Sequence, residues 1–114
     1  MTRFLVAVTA CVSGVAHTYM AAERLEKLCQ QEGWEVKIET QGALGTENAI
    51  SAEDVARADA VLLITDIELD NPERFLASRC VQTGIYAFLR DPQKAISAVR
   101  KVMSTPQHTH IVLS

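Results

Sequence analysis

The stretch FLVAVTACVSGVAHTYMAAERLEKLC, residues 4–29, contains the pattern that decides the fold. Its beginning, Phe4 to Val8, is continuously apolar, which predicts a β-strand buried on both faces of a sheet. From residue 18 to residue 32 the apolar side chains recur at helical spacing, and Gly33 then ends the predicted helix. Cys11 therefore lies just beyond a buried strand, where the chain turns towards a helix.

The predicted helix has one apolar side that would pack on the sheet. Its charged residues fall largely on the opposite side, as in an amphipathic surface helix. The side chains expected to be buried are Met20, Ala21, Leu25, Leu28 and Cys29.

Composition limits the class of protein. The chain has 114 residues, of which 48% are hydrophobic, and this size suits one compact domain that needs no disulfide or metal for its stability. The net charge is −3 with no basic block, which argues against a nucleic-acid partner. Three cysteines without paired spacing, and no long apolar segment, indicate a soluble intracellular protein with reduced thiols.

The rest of the chain continues to alternate strands with helices. Apolar or alternating runs predict three more strands, at 34–39, 60–64 and 80–86, and the Gly-rich stretch 40–49 reads as a loop. Helix starts are indicated by Ser51 with Asp54 as an imperfect capping box, by Asn71-Pro72-Glu73 and by Asp91-Pro92.

This order predicts an α/β fold with three layers. Four parallel strands would form a Rossmann-like sheet with helices on both faces and a phosphate-binding loop after the first strand. We expect one domain over residues 1–103. Residues 104–114 form a C-terminal tail that either frays or adds a strand.

The loop after the first strand is the predicted site. In an open parallel sheet, ligands bind beyond the carboxyl ends of the strands, and free amides at a helix N-terminus favour an anion. A thiol there should have a lowered pKa, so Cys11 could act as a nucleophile towards a phosphoryl group held by the same loop. The residues predicted to form the phosphate-binding loop are Val12, Ser13, Gly14, Val15, Ala16, His17 and Thr18.

Two other interpretations of Cys11 stand beside this one. A lone cysteine after a strand is often a small, inert packing residue. Cysteine-dependent phosphatases also bend a loop around phosphate, but they place an arginine six positions after the cysteine, where this chain has His17. Without that arginine a two-pronged clamp on phosphate is missing, so a phosphatase is disfavoured.

Other residues follow predicted strands at the same end of the sheet. Gln41, Gly42 and Gly45 follow the second strand and would either dock a partner and support the loop or form an ordinary turn. Asp66 ends the strand predicted at 60–64. It would either orient His17 or the loop, or serve as a helix cap or solvated acid.

The remaining cysteines and histidines suggest no further site. Cys29 and Cys80 are expected to be inert packing residues, and Trp34 is expected to belong to the core. His108 and His110 stand two residues apart in the tail, which is too little for a metal site. We expect neither a metal nor a cofactor.

Three motifs together resemble a known family. The stretches TACVSGVAHTYMAAERLEK, ETQGALGTEN and ADAVLLITDIELDNPERF occur in the order found in the fructose-type enzyme IIB of the bacterial sugar phosphotransferase system. The resemblance is strongest to the fructose-like IIB components of enteric bacteria and covers about residues 4–103.

The resemblance implies a function and its partners. The phosphorylated cysteine of the family corresponds to Cys11, which would accept a phosphoryl group from a phosphohistidine of the IIA component and pass it to a fructose-like sugar at the membrane-embedded IIC component. Such a protein is cytoplasmic and associates transiently with the inner membrane through IIC. The family commonly has proline and threonine after this cysteine, whereas this chain has Val12 and Ser13, so the fixed φ of proline is lost and the hydroxyl is kept. A non-catalytic regulatory domain on the same fold is the alternative.

Overall fold

A computed structural model defines the fold for residues 3–10, 15–42, 45–67 and 72–113. Within these residues the strands are β1 (Phe4–Ala10), β2 (Glu35–Gly42), β3 (Gly45–Glu47), β4 (Ala60–Thr65), β5 (Cys80–Thr83) and β6 (His110–Val112). The helices are α1 (Val15–Glu32), α2 (Ala52–Arg57), α3 (Ile85–Arg90) and α4 (Pro92–Val102), and a 3-10 helix spans Pro72–Phe75.

The strands form one sheet in the order β3-β2-β1-β4-β5-β6. Every neighbouring pair is parallel except β2 with β3. Ala10, the last residue of β1, lies level with Gln41 of β2 and Thr65 of β4. The carboxyl ends of these three strands therefore meet at one edge of the sheet, which we call the carboxyl-end edge.

The central place of β1 follows from its composition. All seven of its residues are buried, and side chains alternate between the two faces of the sheet. Leu5 and Ala7 pack with α1, α3 and α4, whereas Val6 and Val8 pack with residues beside α2 and the 3-10 helix. Full burial of each Val or Leu side chain stabilises the fold by about 1.5–3 kcal/mol.

The predicted three-layer α/β architecture is confirmed, but the sheet formed by the described residues has six strands rather than four. The sequence interpretation of 40–49 as a loop was wrong, because β2 continues to Gly42 and β3 pairs antiparallel with it. In the predicted tail, β6 pairs with β5. Both added strands are three residues long and largely exposed, so neither carries the apolar alternation that identifies a strand.

Helix α1 begins three residues earlier than its apolar spacing indicated, at Val15. Most of the predicted apolar face is buried as expected, but Met20 is 53% exposed, so its assignment to that face was wrong. Thr18 instead occupies the buried face in the first turn, with 1% of its surface exposed. Trp34 packs against the core as expected, although it is only partly buried.

Helix α3 was missed in the sequence, where residues 80–86 read as one strand. The strand β5 ends at Thr83, Gly84 is the N-cap, and the helix follows from Ile85. The run IYAFLR is rich in residues that favour strands, which concealed the helix. The signal was the spacing of Ile85 and Phe88, three apart and both buried.

The capping box predicted at α2 is confirmed. The Ser51 hydroxyl accepts a hydrogen bond from the Asp54 amide at 3.1 Å, and the Asp54 carboxylate accepts one from the Ser51 amide at 3.0 Å. Ile50 is buried, and Val55 packs against the same cluster. These contacts fix the start of a helix of only six residues.

We therefore expect Ser51→Ala to lower the free energy of unfolding by about 1 kcal/mol, because it leaves helix amides without an acceptor. The matched control is Ser97→Ala on the exposed side of α4, which should leave stability unchanged or slightly higher because alanine favours helix. Urea unfolding of both variants measures the effect. Equal stability of the two variants would contradict this role for Ser51.

Candidate functional site

Ala10, the last residue before the predicted cysteine loop, ends β1 at the carboxyl-end edge. Cys11, Val12, Ser13 and Gly14 are outside the described residues, and the chain is defined again from Val15, the first residue of α1. The loop thus connects the end of the central strand to the N-terminus of an 18-residue helix. No acidic residue occupies the first turn of α1, so no negative side chain in that turn opposes an anion at this helix end.

His17 and Thr18 project from the first turn of α1, and Ala16 before them is exposed. The Thr18 hydroxyl is buried, as is Nδ1 of the partly buried His17, and neither atom has a hydrogen-bond partner among the described residues. The imidazole of His17 packs edge-on against the ring of Tyr86, with 5.1 Å between ring centroids and 62° between planes. Tyr86, on α3, was not among the predicted site residues.

Thr9 is a further residue that the sequence interpretation missed. Its side chain faces the α1 layer, because it follows Leu5 and Ala7 in the alternation of β1. Its hydroxyl is fully buried and, among the residues that the structure describes, also lacks a partner. A polar residue within an otherwise apolar strand, two positions before Cys11, was the signal in the sequence.

These unpaired groups have a physical cost. A buried hydroxyl without a hydrogen bond costs about 1–3 kcal/mol, and native proteins keep few of them. Thr9 and Thr18 flank the cysteine loop on its two sides in the chain, within the layer between the sheet and α1. Each hydroxyl can donate one hydrogen bond, so together they suit an oxyanion bound at this edge.

Gln41 lies on the opposite face of the sheet, at the end of β2. It is buried, and its amide Nε2 donates to Oε2 of Glu39 at 2.6 Å. Glu39 is fully buried, and the guanidinium of Arg74 binds both of its oxygens, with Nη1–Oε1 at 2.9 Å and Nη2–Oε2 at 2.6 Å. The Ile50 amide donates to Oε1 at 2.8 Å, and the Ile50 carbonyl accepts from Arg74 at 3.1 Å.

Burial alone would raise the pKa of Glu39. The hydrogen bonds from Arg74, from the Ile50 amide and from Gln41 outweigh burial, together with the positive charge of Arg74, and they lower the pKa below the ordinary value of 4.5. Glu39 therefore stays ionised inside the protein. The alternation of apolar and charged residues in β2, taken alone, predicts an exposed side chain at this position.

Gly42 and Gly45 are the paired residues at the start of the β2–β3 hairpin. Gly45 has φ of +94°, a conformation that favours glycine. The hydroxyl of Tyr19 on α1 donates to the carboxylate of Glu47 on β3, and this hydrogen bond raises the pKa of Tyr19. The hairpin is therefore tied to the helix that carries His17 and Thr18.

Asp66 is exposed and follows β4 directly. Its Oδ1 lies near Gly84, the N-cap of α3, where an added Cβ would approach to 2.6 Å. No described group bonds Nδ1 of His17, so Asp66 does not bind that atom, and the predicted role of Asp66 in orienting His17 or the loop stays a prediction. Asp66 instead lies beside the start of the helix that carries Tyr86.

The other two cysteines lie in apolar surroundings. Cys29 and Cys80 are both buried, and burial raises the pKa of their thiols to about 12 and about 11. The thiol of Cys80 points at the Phe75 carbonyl oxygen, at 3.3 Å. Neither thiol has the environment of a nucleophile.

The described part of the chain holds neither a cluster of metal ligands nor a membrane-spanning helix. Within 3–10, 15–42, 45–67 and 72–113, no three His, Cys, Asp or Glu side chains are grouped as metal ligands. Within the same ranges, no helix has the length and apolar character needed to cross a bilayer.

Comparison with known proteins places this geometry among close relatives. Residues 6–98 match the family described as PTS system, lactose/cellobiose specific IIB subunit. Over 110 residues the chain is 71% identical to the PTS system fructose-like EIIB component 3 of Escherichia coli (strain K12), covering 96% of this chain and 97% of that protein. The crystal structure of a predicted fructose specific IIB from Escherichia coli superposes with a TM-score of 0.96 at 69% identity, covering 99% of this chain and 100% of that one.

A longer relative contains a similar segment. The PTS system fructose-specific EIIB'BC component of Rhodobacter capsulatus is 38% identical over 94 residues, which make up 82% of this chain and 16% of that protein.

The raised thiol pKa values predict that Cys29 and Cys80 resist alkylation. In the native protein at about pH 8, iodoacetamide should leave both unmodified, because little thiolate is present and the thiols are covered. Peptide mapping after native labelling, with a denatured sample as control, locates the adducts. Labelling of either cysteine at the rate of the denatured chain would contradict the prediction.

The lowered pKa of Glu39 predicts a stability that depends on pH. A depressed folded-state pKa contributes stability above the ordinary value of 4.5, and this contribution is lost as the pH falls through the folded-state value. At neutral pH we expect Glu39→Gln to cost about 3 kcal/mol, because it leaves the Arg74 charge without its partner. Urea unfolding between about pH 6 and about pH 3 should show the difference from wild type narrowing towards acid. A constant difference over this range would disprove the linkage.

Proposed function

Because the chain belongs to the IIB family of the bacterial sugar phosphotransferase system, we propose that Cys11 carries a phosphoryl group between two partners of that system. A role in sugar phosphotransfer follows from the family. The proposal adds the acceptor atom, the Cys11 thiolate, together with the donor and the final acceptor. The donor is a phosphohistidine of a IIA component, and the final acceptor is a fructose-like sugar at the membrane component IIC.

One observation carries the proposal. Buried polar atoms without a described partner lie in the chain on both sides of the Cys11 loop, namely Oγ1 of Thr9, Nδ1 of His17 and Oγ1 of Thr18. The N-terminus of α1 adds amides that have no partner within the helix and the positive end of the helix dipole. Hydroxyl and amide donors of this kind stabilise the negative charge of a phosphoryl group during transfer, and they also lower the pKa of a thiol nearby.

The transfer needs two displacements at phosphorus. In the first, the Cys11 sulfur forms an S–P bond while the N–P bond of the donor phosphohistidine breaks, and the electron pair returns to the donor imidazole. In the second, a sugar hydroxyl oxygen forms an O–P bond while the S–P bond breaks, which restores the thiolate. The hydroxyl proton passes to a base on the acceptor side. A thiol of low pKa serves both steps because it is ionised as a nucleophile and is a good leaving group.

The proposed partners follow from the organisation of relatives. The Rhodobacter capsulatus relative is named EIIB'BC, so a IIB segment is joined to a C component there. We infer that this chain meets a IIA and a IIC component, in the cytoplasm and transiently at the inner membrane. The sugar is taken as fructose-like from the names of the relatives, and the proposal assigns its pocket to IIC.

The test is intact-mass spectrometry after incubation with phosphoenolpyruvate, enzyme I, the histidine phosphocarrier and a fructose-type IIA. We expect one phosphoryl adduct on the wild type and none on Cys11→Ser. The matched control is Cys29→Ala, which removes a buried thiol and should keep the adduct.

Three outcomes would count against the relay. An adduct that persists in Cys11→Ser would place the phosphoryl group on another residue. Absence of an adduct on folded wild type, with several IIA proteins tried, would favour a non-catalytic regulatory domain on this fold. Steady hydrolysis of an aryl phosphate would favour a cysteine-dependent phosphatase.

A further inference from the structure

The ion pair between Glu39 and Arg74 is more elaborate than the fold requires. Glu39 has 1% of its side-chain surface exposed. Each carboxylate oxygen accepts two hydrogen bonds, one from Arg74 and the other from the Ile50 amide or from Gln41. Replacing a buried ion pair with apolar side chains of similar volume is often neutral or stabilising. Stability alone therefore does not explain why charges are used here.

The position of the pair suggests another reason. Glu39 is in β2, and Arg74 lies in the 3-10 helix that follows β4. Because β1 separates β2 from β4 in the sheet, the pair joins the segments on either side of the strand that leads to Cys11.

The same pair also anchors two neighbouring residues. The Gln41 amide, level with Ala10, donates to Glu39. Ile50, where the chain returns from the β2–β3 hairpin, binds Glu39 through its amide and Arg74 through its carbonyl. The guanidinium also stacks 4.7 Å from the centre of the Phe75 ring, which is part of the buried cluster under β1. The orientation of the guanidinium is thus fixed from several sides.

We propose that Glu39 and Arg74 form a positioning pair for the Cys11 site. The pair holds Gln41, Ile50 and the 3-10 helix in a fixed place around the end of β1. This inference rests on the proposed relay for its consequence in phosphoryl transfer. Neither residue is assigned contact with the phosphoryl group. A displacement of about 1 Å in a reacting geometry costs about a hundredfold in rate, so loosening this pair should slow transfer strongly.

The decisive variant removes both charges together. In Glu39→Gln with Arg74→Met, the carbonyl oxygen of the new side-chain amide can still accept from the Ile50 amide, and no buried charge is left alone. We expect this double variant to fold with near wild-type stability and to be phosphorylated at Cys11 up to about a hundredfold more slowly at saturating IIA. The concentration of IIA at half-maximal rate should stay unchanged, because Glu39 is buried and most of the Arg74 side chain is covered.

Two further variants separate positioning from general structure. Arg74→Lys keeps the charge but loses the two-pronged geometry, so phosphoryl transfer in this variant should be nearly as slow as in the double variant. Lys37 lies in the same strand, two residues from Glu39, and its Nζ pairs with Oδ2 of Asp54 at 2.6 Å. Lys37→Met removes this ion pair and should leave the transfer rate at the wild-type value.

A second readout does not need the partner proteins. The rate of Cys11 alkylation against pH should move to higher pH in the double variant and remain in place in Lys37→Met, because the groups around the thiol are displaced only in the former. If the wild type accepts no phosphoryl group, the proposed phosphoryl relay is wrong. The pH dependence of Cys11 alkylation still tests whether Glu39 and Arg74 position the groups around the thiol. An unchanged profile together with an unchanged rate in the stable double variant would overturn the inference. A transfer rate that falls only in proportion to the unfolded fraction of the double variant would overturn it as well.

Discussion

β1 is buried on both faces and hydrogen-bonded to a parallel strand along each edge, and the other layers are positioned against it. Alternate side chains of this one strand enter both apolar clusters, so neither helical layer can shift without exposing part of it. Cys11 directly follows Ala10, the last residue of this strand. The same burial that stabilises the sheet therefore places the residue before Cys11 at the carboxyl-end edge.

At that edge the two faces of the sheet treat polar groups in opposite ways. On the α2 face, Glu39 has both oxygens saturated by Arg74, Gln41 and Ile50. On the α1 face, the hydroxyls of Thr9 and Thr18 are buried and have no partner among the described residues. Saturated groups make a rigid support, whereas unpaired donors keep their capacity for a ligand. A site that transfers an anion benefits from both.

The three cysteines illustrate how environment decides chemistry. Cys29 and Cys80 are covered by apolar side chains, and their raised pKa values keep them protonated. Cys11 follows a buried strand and precedes a helix N-terminus without acidic residues, which is the setting that favours a thiolate. The same residue type is thus a packing group at two positions and the proposed nucleophile at the third.

The sequence by itself determined the layered α/β fold and the position of Cys11 in the chain between a buried strand and a helix, because the apolar run of β1 and the helical spacing of α1 depend on neighbouring residues only. It also determined the capping box at Ser51 for the same reason. The tertiary structure alone decided the short edge strands β3 and β6, which exist through pairing rather than through their own pattern. It alone buried Glu39, because the partner Arg74 is 35 residues away and no local rule brings the two together.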